Sequence, residues 1–409
     1  MPYATARRSY GRPNYGSVRR GQTSNRFGGG RRAAVNRRGP KKDYIHPSRF
    51  VKAARMVEQE VYDATYQFED FAVADIIKAN IRAKGYVTPS PIQDQTIPRV
   101  LDGQNVIGIA NTGTGKTAAF AIPLLHKVMT NKASRLLVVA PTRELAQQIE
   151  AECKEIAKGS GLFGALLIGG SSMGAQLRDL KSNPEIVIGT PGRIKDHIER
   201  GTLKLGQFDS VVLDEVDRML DMGFITDVSL ILSKLKENHQ SLFFSATLDN
   251  KVRELISRFA AEPVTISVKQ GETCDNVAQD IIAYETAAQK IDRLHDILMK
   301  QEVEKVIVFD DTQRSVERLS NELIERGFAA DAIHGGKTQG QRQRALSRFK
   351  KSEVTILVAT DVAARGIDVV DITHVINYST PQTYEDYIHR IGRAGRAGRT
   401  GMALTFIGV

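Results

Sequence analysis

Residues 106–117 read VIGIANTGTGKT, and about a hundred residues later 210–217 read SVVLDEVD. Both open on runs that are apolar on alternating faces, which suits strands buried on each side of a parallel sheet. Both close on polar residues at what would be the carboxyl end of the strand, where open α/β sheets place their ligand crevices. In the first, Gly113 and Gly115 allow a turn tight enough for backbone N–H groups to surround phosphate oxygens, with Thr112 and Thr114 in the same loop. Lys116 then meets the outer phosphates and the Thr117 hydroxyl faces Mg²⁺. Asp214 in the second stretch supplies another metal-side carboxylate. Together the two predict a site for a Mg²⁺-bound nucleoside triphosphate.

The same grammar runs outward in both directions. RLLVVA (135–140), GALLIG (164–169), EIVIGT (185–190) and SLFFSAT (241–247) are further apolar runs bounded by glycine, proline or charge, with helices such as 144–158 as crossovers. After the polar stretch KQGETCDN (269–276) a second series begins: EKVIVFD (304–310), ADAIH (330–334), TILVATD (355–361), HVINYS (374–379) and MALTFI (402–407), alternating with helices such as 312–326 and 341–350. The expected class is therefore α/β, with two tandem parallel-sheet domains at 66–268 and 277–409 joined by a linker at 269–276. Residues 46–65 read as a connecting segment, and 1–45 as a disordered Arg/Gly-rich tail.

Charge supports that division. The net charge is +10, yet residues 1–42 hold 12 of the 57 lysines and arginines and no acidic residue, leaving 45 basic against 47 acidic residues in the remainder. High basicity belongs to the tail and not to the fold. Its arginines suit phosphates, and Tyr3, Tyr10, Tyr15 and Phe27 suit stacking on bases, which is a sequence-tolerant way of holding RNA. Only two cysteines, Cys153 and Cys274, occur, one on each side of the likely domain boundary, so a disulfide framework is not indicated and a reducing compartment is. No apolar run approaches a membrane span, and the expectation is a soluble, cytoplasmic chain, monomeric by default.

Eight motifs in order carry a resemblance: ANTGTGKT (110–117), PTRELAQQI (141–149), Gly169–Gly170, TPGR (190–193), DEVD (214–217), SAT (245–247), ATDVAARGID (359–368) and HRIGRAGR (389–396). Their order and spacing resemble the DEAD-box RNA helicases of helicase superfamily 2, over about residues 66–408. Two departures are small: Ala110 stands at the first glycine position of the phosphate loop, and Val216 makes the tetrad DEVD. Upstream, GYVTPSPIQ (85–93), with Phe68 lying 17 residues before Gly85, looks like the family's adenine-reading Q motif. An amide such as Gln93 can donate to and accept from adenine while Phe68 stacks on the ring, so ATP is the expected nucleotide.

The resemblance implies RecA-like domains, an ATP-dependent RNA helicase activity and a role for each motif. Lys116, Thr117 and Asp214 would hold phosphates and Mg²⁺, and Glu215 would position or deprotonate water. Adjacent strand positions point to opposite sides, so Asp214 and Glu215 could serve metal and water separately. Arg393 and Arg396 would reach the γ-phosphate across the cleft, with Asp361 and Asp368 holding the ribose and bracing those arginines. Thr142, Arg143, Gly170, Thr190, Pro191, Gly192 and Arg193 would grip RNA from the first domain, and Gln339, Arg342 and Thr360 from the second. Such groups contact phosphate and sugar and carry no base code. Asp217 with Ser245 and Thr247 would couple nucleotide to RNA. His334 and the pair Asp310–Asp311 read as structural, and His389 and Arg390 as braces of the interdomain surface. Deleting residues 1–42 is expected to flatten the dependence of log RNA affinity on log salt, measured by titration at several ionic strengths; an unchanged slope removes the tail from RNA binding.

Overall fold

The computed structural model describes residues 45–54, 62–111, 113–268, 276–364, 369, 371–395 and 399–409. The tail expected at 1–45, apart from Ile45, and the linker expected at 269–276, apart from Asn276, lie outside the described residues, as do Thr112, Asp368, Arg396 and Cys274.

Two all-parallel sheets form. The first lobe contains β1 (Val106–Ala110), β2 (Leu136–Val139), β3 (Gly164–Leu167), β4 (Ile186–Gly189), β5 (Ser210–Leu213), β6 (Gln240–Ser245) and β7 (Val264–Val268), in the order β3-β4-β2-β5-β6-β1-β7. The second contains β8 (Val277–Tyr284), β9 (Val306–Phe309), β10 (Ala330–Ile333), β11 (Ile356–Ala359), β12 (His374–Asn377) and β13 (Gly401–Gly408), in the order β10-β11-β9-β12-β13-β8. Central strands such as β1, β2, β5 and β6 are buried throughout, as runs apolar on both faces require. Each sheet divides its core in two: Val138, Val212 and Phe244 pack on one face of the first, and Leu137, Val211 and Phe243 on the other. Cys153 sits in this core, where burial pushes its thiol up to about 12 and keeps it protonated.

Two strands, β7 and β8, have no counterpart among the apolar runs of the sequence. Both lie at sheet edges and are half exposed, so their residues alternate or mix polar with apolar. A second departure concerns residues 46–65. Ile45 and Phe50 are buried in the core of the second lobe beside Tyr387, and Lys52 forms an antiparallel bridge with Gln279 on edge strand β8. The segment ahead of the first lobe therefore contributes to the second.

Close packing between strands leaves little room at Gly189. A Cβ there would lie 2.5 Å from the Leu167 carbonyl oxygen of β3 and 3.0 Å from Ile194. Gly189→Ala is expected to destabilise the first lobe by about 1–3 kcal/mol, read as a lowered thermal midpoint; an unchanged midpoint would contradict this packing.

Candidate nucleotide and RNA site

Strand ends deliver the polar residues. Ala110 ends β1, and the loop that follows enters the helix Lys116–Thr130, where Lys116 is buried and its Nζ donates to the Ala110 carbonyl at 3.0 Å. The loop is held from the side by the helix Pro91–Leu101, whose Ser90 hydroxyl donates to the Thr114 carbonyl at 2.7 Å. Gln93 Oε1 accepts from the Ser90 N–H at 2.9 Å and its Nε2 donates to the Gly115 carbonyl at 3.2 Å. Gly115 has φ +90°, and a Cβ there would come within 2.4 Å of Gln93 Nε2, so both backbone and neighbour demand glycine. Gln93 thus reads the phosphate loop itself. Phe68 is only 4% exposed, tilted against Tyr86 at 5.7 Å and edge-on to Phe71 at 6.1 Å.

Next to Gln93, Asp94 accepts from the Tyr62 hydroxyl (2.6 Å) and from the N–H groups of Thr65 (3.0 Å) and Tyr66 (2.9 Å). Sequence reasoning missed this fastening, because its partners are about 30 residues apart and share no motif.

β5 ends at Leu213 and the acidic tetrad follows. Strand alternation does not apply to Asp214 and Glu215, which lie beyond β5: Glu215 adopts φ +53°, ψ +55°, a left-handed conformation that is costly for a residue with a Cβ. Its carboxylate lies 3.4 Å from Arg218 Nε, and Glu215 Oε2 and both Nη atoms of Arg218 are buried without hydrogen-bond partners. Burial pushes Asp214 up to about 6, opposed by the Lys116 charge and reinforced by Glu215. Asp217 goes the other way. Burial raises it, but hydrogen bonding to Ser245 and Thr247 and the Lys116 charge outweigh that and hold it below the ordinary carboxylate range. Asp217 Oδ2 accepts the N–H groups of Ala246 and Thr247, both at 3.0 Å, and the Thr247 hydroxyl at 3.2 Å; Ser245 Oγ accepts the Asp217 N–H at 3.4 Å. The three residues expected to couple are joined.

The loops after β2, β3 and β4 lie on the same edge. Thr142 caps the helix Arg143–Ile156 by accepting the Leu145 N–H at 3.3 Å, and the Arg143 guanidinium lies against Gly169 and Gly170. Arg193, on the helix that starts after Thr190 with Pro191 and Gly192, donates to Gln176 Oε1 at 3.2 Å. Gln176 also donates to the Ile168 carbonyl at 2.9 Å and accepts from His197 Nε2 at 3.1 Å, so it ties the Gly169–Gly170 loop to the TPGR loop. No motif marked Gln176; only its burial at 3% exposure reveals the role.

The second lobe meets this edge directly. Arg342 Nη2 and Glu144 Oε2 form a 2.9 Å ion pair with both side chains under 10% exposed, and Gln339 Nε2 donates to Glu144 Oε1 at 3.3 Å and Gln147 Oε1 at 3.1 Å. Gln339 and Arg342 therefore bind the first lobe, and Glu144 is a further residue the sequence did not single out. Thr360 is buried at the end of β11. Both oxygens of Asp361 accept from Arg390, at 2.6 and 2.7 Å, and Arg390 also donates to the Ser379 carbonyl at 2.7 Å. Arg218 of the first lobe lines one slot with Asp361, Asp386, His389, Arg390 and Arg393. An adjoining cleft of about 510 Å³ has Asn111, Thr247 and Asp249 on one side and Tyr384, Glu385 and His389 on the other. Burial, then the charges of Asp221 and Asp217, raises Glu385 above the usual carboxylate range. His334 has a structural setting: Nε2 lies 2.7 Å from Glu317.

Residues 90–255 match the sequence model of the DEAD/DEAH box helicases, and 289–398 match the helicase conserved C-terminal domain. The DEAD-box ATP-dependent RNA helicase CshA of Bacillus subtilis is 46% identical over 345 residues, covering 84% of this chain and 70% of that protein. This chain belongs to the DEAD-box ATP-dependent RNA helicase family. CshA of Bacillus cereus is likewise 46% identical over 83% of this DEAD-box chain, which spans 65% of that relative's length. Among solved structures, Mss116p bound to ssRNA and AMP-PNP matches with a TM-score of 0.76 at 31% identity, covering 85% of this chain and 76% of that one. Dbp5 of S. cerevisiae bound to RNA and ADP BeF3 matches at 0.74 with 28% identity, covering 84% and 89%.

Because the folded state raises Asp214, its protonated form is favoured on folding. That contribution is complete below the unfolded value of about 3.9 and is lost as pH rises through about 6. Asp214→Asn is expected to stabilise the ligand-free protein at pH 7.5 by on the order of 2 kcal/mol, a gain that shrinks between pH 6 and pH 4. Calorimetry across that range checks it, and a gain independent of pH would contradict it.

Proposed function

We propose that the chain is an RNA-stimulated ATPase and RNA helicase whose lobes close over ATP and single-stranded RNA, bend the strand and open short duplexes, with hydrolysis to ADP and phosphate permitting release. The observation that carries this is the cleft of about 510 Å³ that Asn111 of the phosphate loop and Thr247 of SAT line from one lobe, and His389 and Gly392 of HRIGRAGR from the other. A catalytic centre split in this way is competent only when the lobes meet, and the Glu144–Arg342 pair supports that meeting.

In the centre, Lys116 and the loop N–H groups bind the phosphates, Glu215 orients or deprotonates the attacking water, and Arg393 with Arg396 balances charge at the γ-phosphate. Glu215 suits that role because its Oε2, ion-paired with Arg218 Nε at 3.4 Å, is buried without a hydrogen-bond partner. Gln93, Phe68, Thr112, Gly113, Thr114 and Gly115 would complete the nucleotide cradle, and Asp361 and Asp368 its second-lobe side. Mg²⁺ fits the donor set, since a buried carboxylate of raised pKa gains most from a nearby cation, and Thr117 and Asp214 would hold it. When bound, Mg²⁺ supplies neutralisation of phosphate charge. Asp217, Ser245 and Thr247 would pass the state of this centre to the RNA edge.

RNA would lie along the loops of Thr142, Arg143, Gly170 and Thr190–Arg193, with Gln339, Arg342 and Thr360 adjoining them. Their hydroxyls, N–H groups and guanidinium groups suit sugar and phosphate, so binding is independent of sequence. ATP and RNA each favour closure and therefore each tightens the other.

Hydrolysis rates with no nucleic acid, single-stranded RNA or matched DNA test the reading in wild type, Glu215→Gln and Arg393→Lys. RNA alone is expected to stimulate, and Glu215→Gln to lower kcat by about 10²-fold or more. RNA-independent turnover, or equal stimulation by DNA, overturns it.

A further inference from the structure

The segment ahead of the first lobe is attached to the second at a consequential place. Phe50 is fully buried with its ring edge-on to Tyr387, 4.7 Å between centroids. The Arg49 guanidinium lies 3.6 Å from the centre of the Tyr384 ring. Lys52 exchanges backbone hydrogen bonds with Gln279, at 2.7 and 3.0 Å, and the Gln279 side chain accepts the Tyr387 hydroxyl at 2.9 Å. All these contacts converge on the helix Tyr384–Ile391, which carries His389 and Arg390 and leads into Arg393.

That helix has only eight residues, too few to hold its own direction in water, so packing sets its aim. Arg390 fastens its last turn to Asp361. Its first turn is fastened by aromatic and cation–π contacts from Arg49 and Phe50, whose geometry is directional in a way that aliphatic packing is not. Tyr384 also lines the cleft opposite Thr247 and Asp249. We propose that residues 45–52 form a clip that positions this helix, and through it Arg393, so that hydrolysis depends on a segment that does not touch the nucleotide. The proposal rests on the role given to Arg393 above.

The test uses the full chain carrying Phe50→Ala, Phe50→Leu or Arg49→Ala, each with and without Arg393→Lys. In ligand-free protein, Phe50→Ala is expected to speed hydrogen exchange of residues 384–393 while strands β9 and β11 stay protected. With saturating RNA, Phe50→Ala and the exposed Arg49→Ala should lower kcat by about 3- to 10-fold with KM for ATP within about twofold, and Phe50→Leu should recover most of the loss. In the Arg393→Lys background the same changes should have almost no further effect, because a positioning group acts only through the group it positions. Losses that multiply in the double variants, or undisturbed kcat in Phe50→Ala, overturn the clip. Full turnover by Arg393→Lys alone instead overturns the assignment of Arg393, and the clip is then judged by exchange: unchanged protection of 384–393 in Phe50→Ala overturns it.

Discussion

Strands that all run the same way carry every loop that follows a strand to one edge of their sheet, and this constraint organises both lobes. In the first lobe the strand order adds a division of that edge. β5, β6 and β1 are neighbours and deliver the acidic tetrad, SAT and the phosphate loop, whereas β3, β4 and β2 deliver Gly170, Thr190 and Thr142. The loops proposed for nucleotide and those proposed for RNA thus lie side by side on one sheet, with β2 and β5 paired at the seam. Asp217 is placed to bridge towards β6, since it gathers donors from the loop that follows that strand.

One point of local strain falls in the acidic tetrad. Glu215 occupies the left-handed region although it is not glycine. The distortion costs on the order of 1 kcal/mol or more and is held by the sheet on one side and the helix Val216–Asp221 on the other. The two adjacent acids, both buried, have different partners. One is deeply buried beside Lys116, and the other faces Arg218.

What the sequence made legible was local and periodic. Eleven of the strands coincide with apolar runs, most of them because burial on both faces leaves no polar position to blur the pattern, with the partly exposed edge strands β3 and β10 as exceptions. The edge strands Val264–Val268 and Val277–Tyr284 escaped because one side of each meets solvent. Motif residues likewise stood out in the sequence where the proposed chemistry fixes residue type, as in Lys116 or Asp217. The hidden ones, Glu144, Gln176, Asp94 and Phe50, act by meeting residues far away in the chain, and their types alone are ordinary. Asp361 illustrates the boundary: its importance could be read, but its partner Arg390 could be identified only from the folded distance.

The ion pair between Glu144 and Arg342 has a consequence for how the lobes find one another. Stripping water from two opposite charges nearly cancels their attraction, so the pair adds little adhesive strength when it is well made. An approach that is off by one side chain, however, would strand a bare charge in a dry interface at a cost of about 3–5 kcal/mol. The pair therefore acts as a key for registration: it penalises every near miss, and favours lobes that are either correctly seated or fully apart.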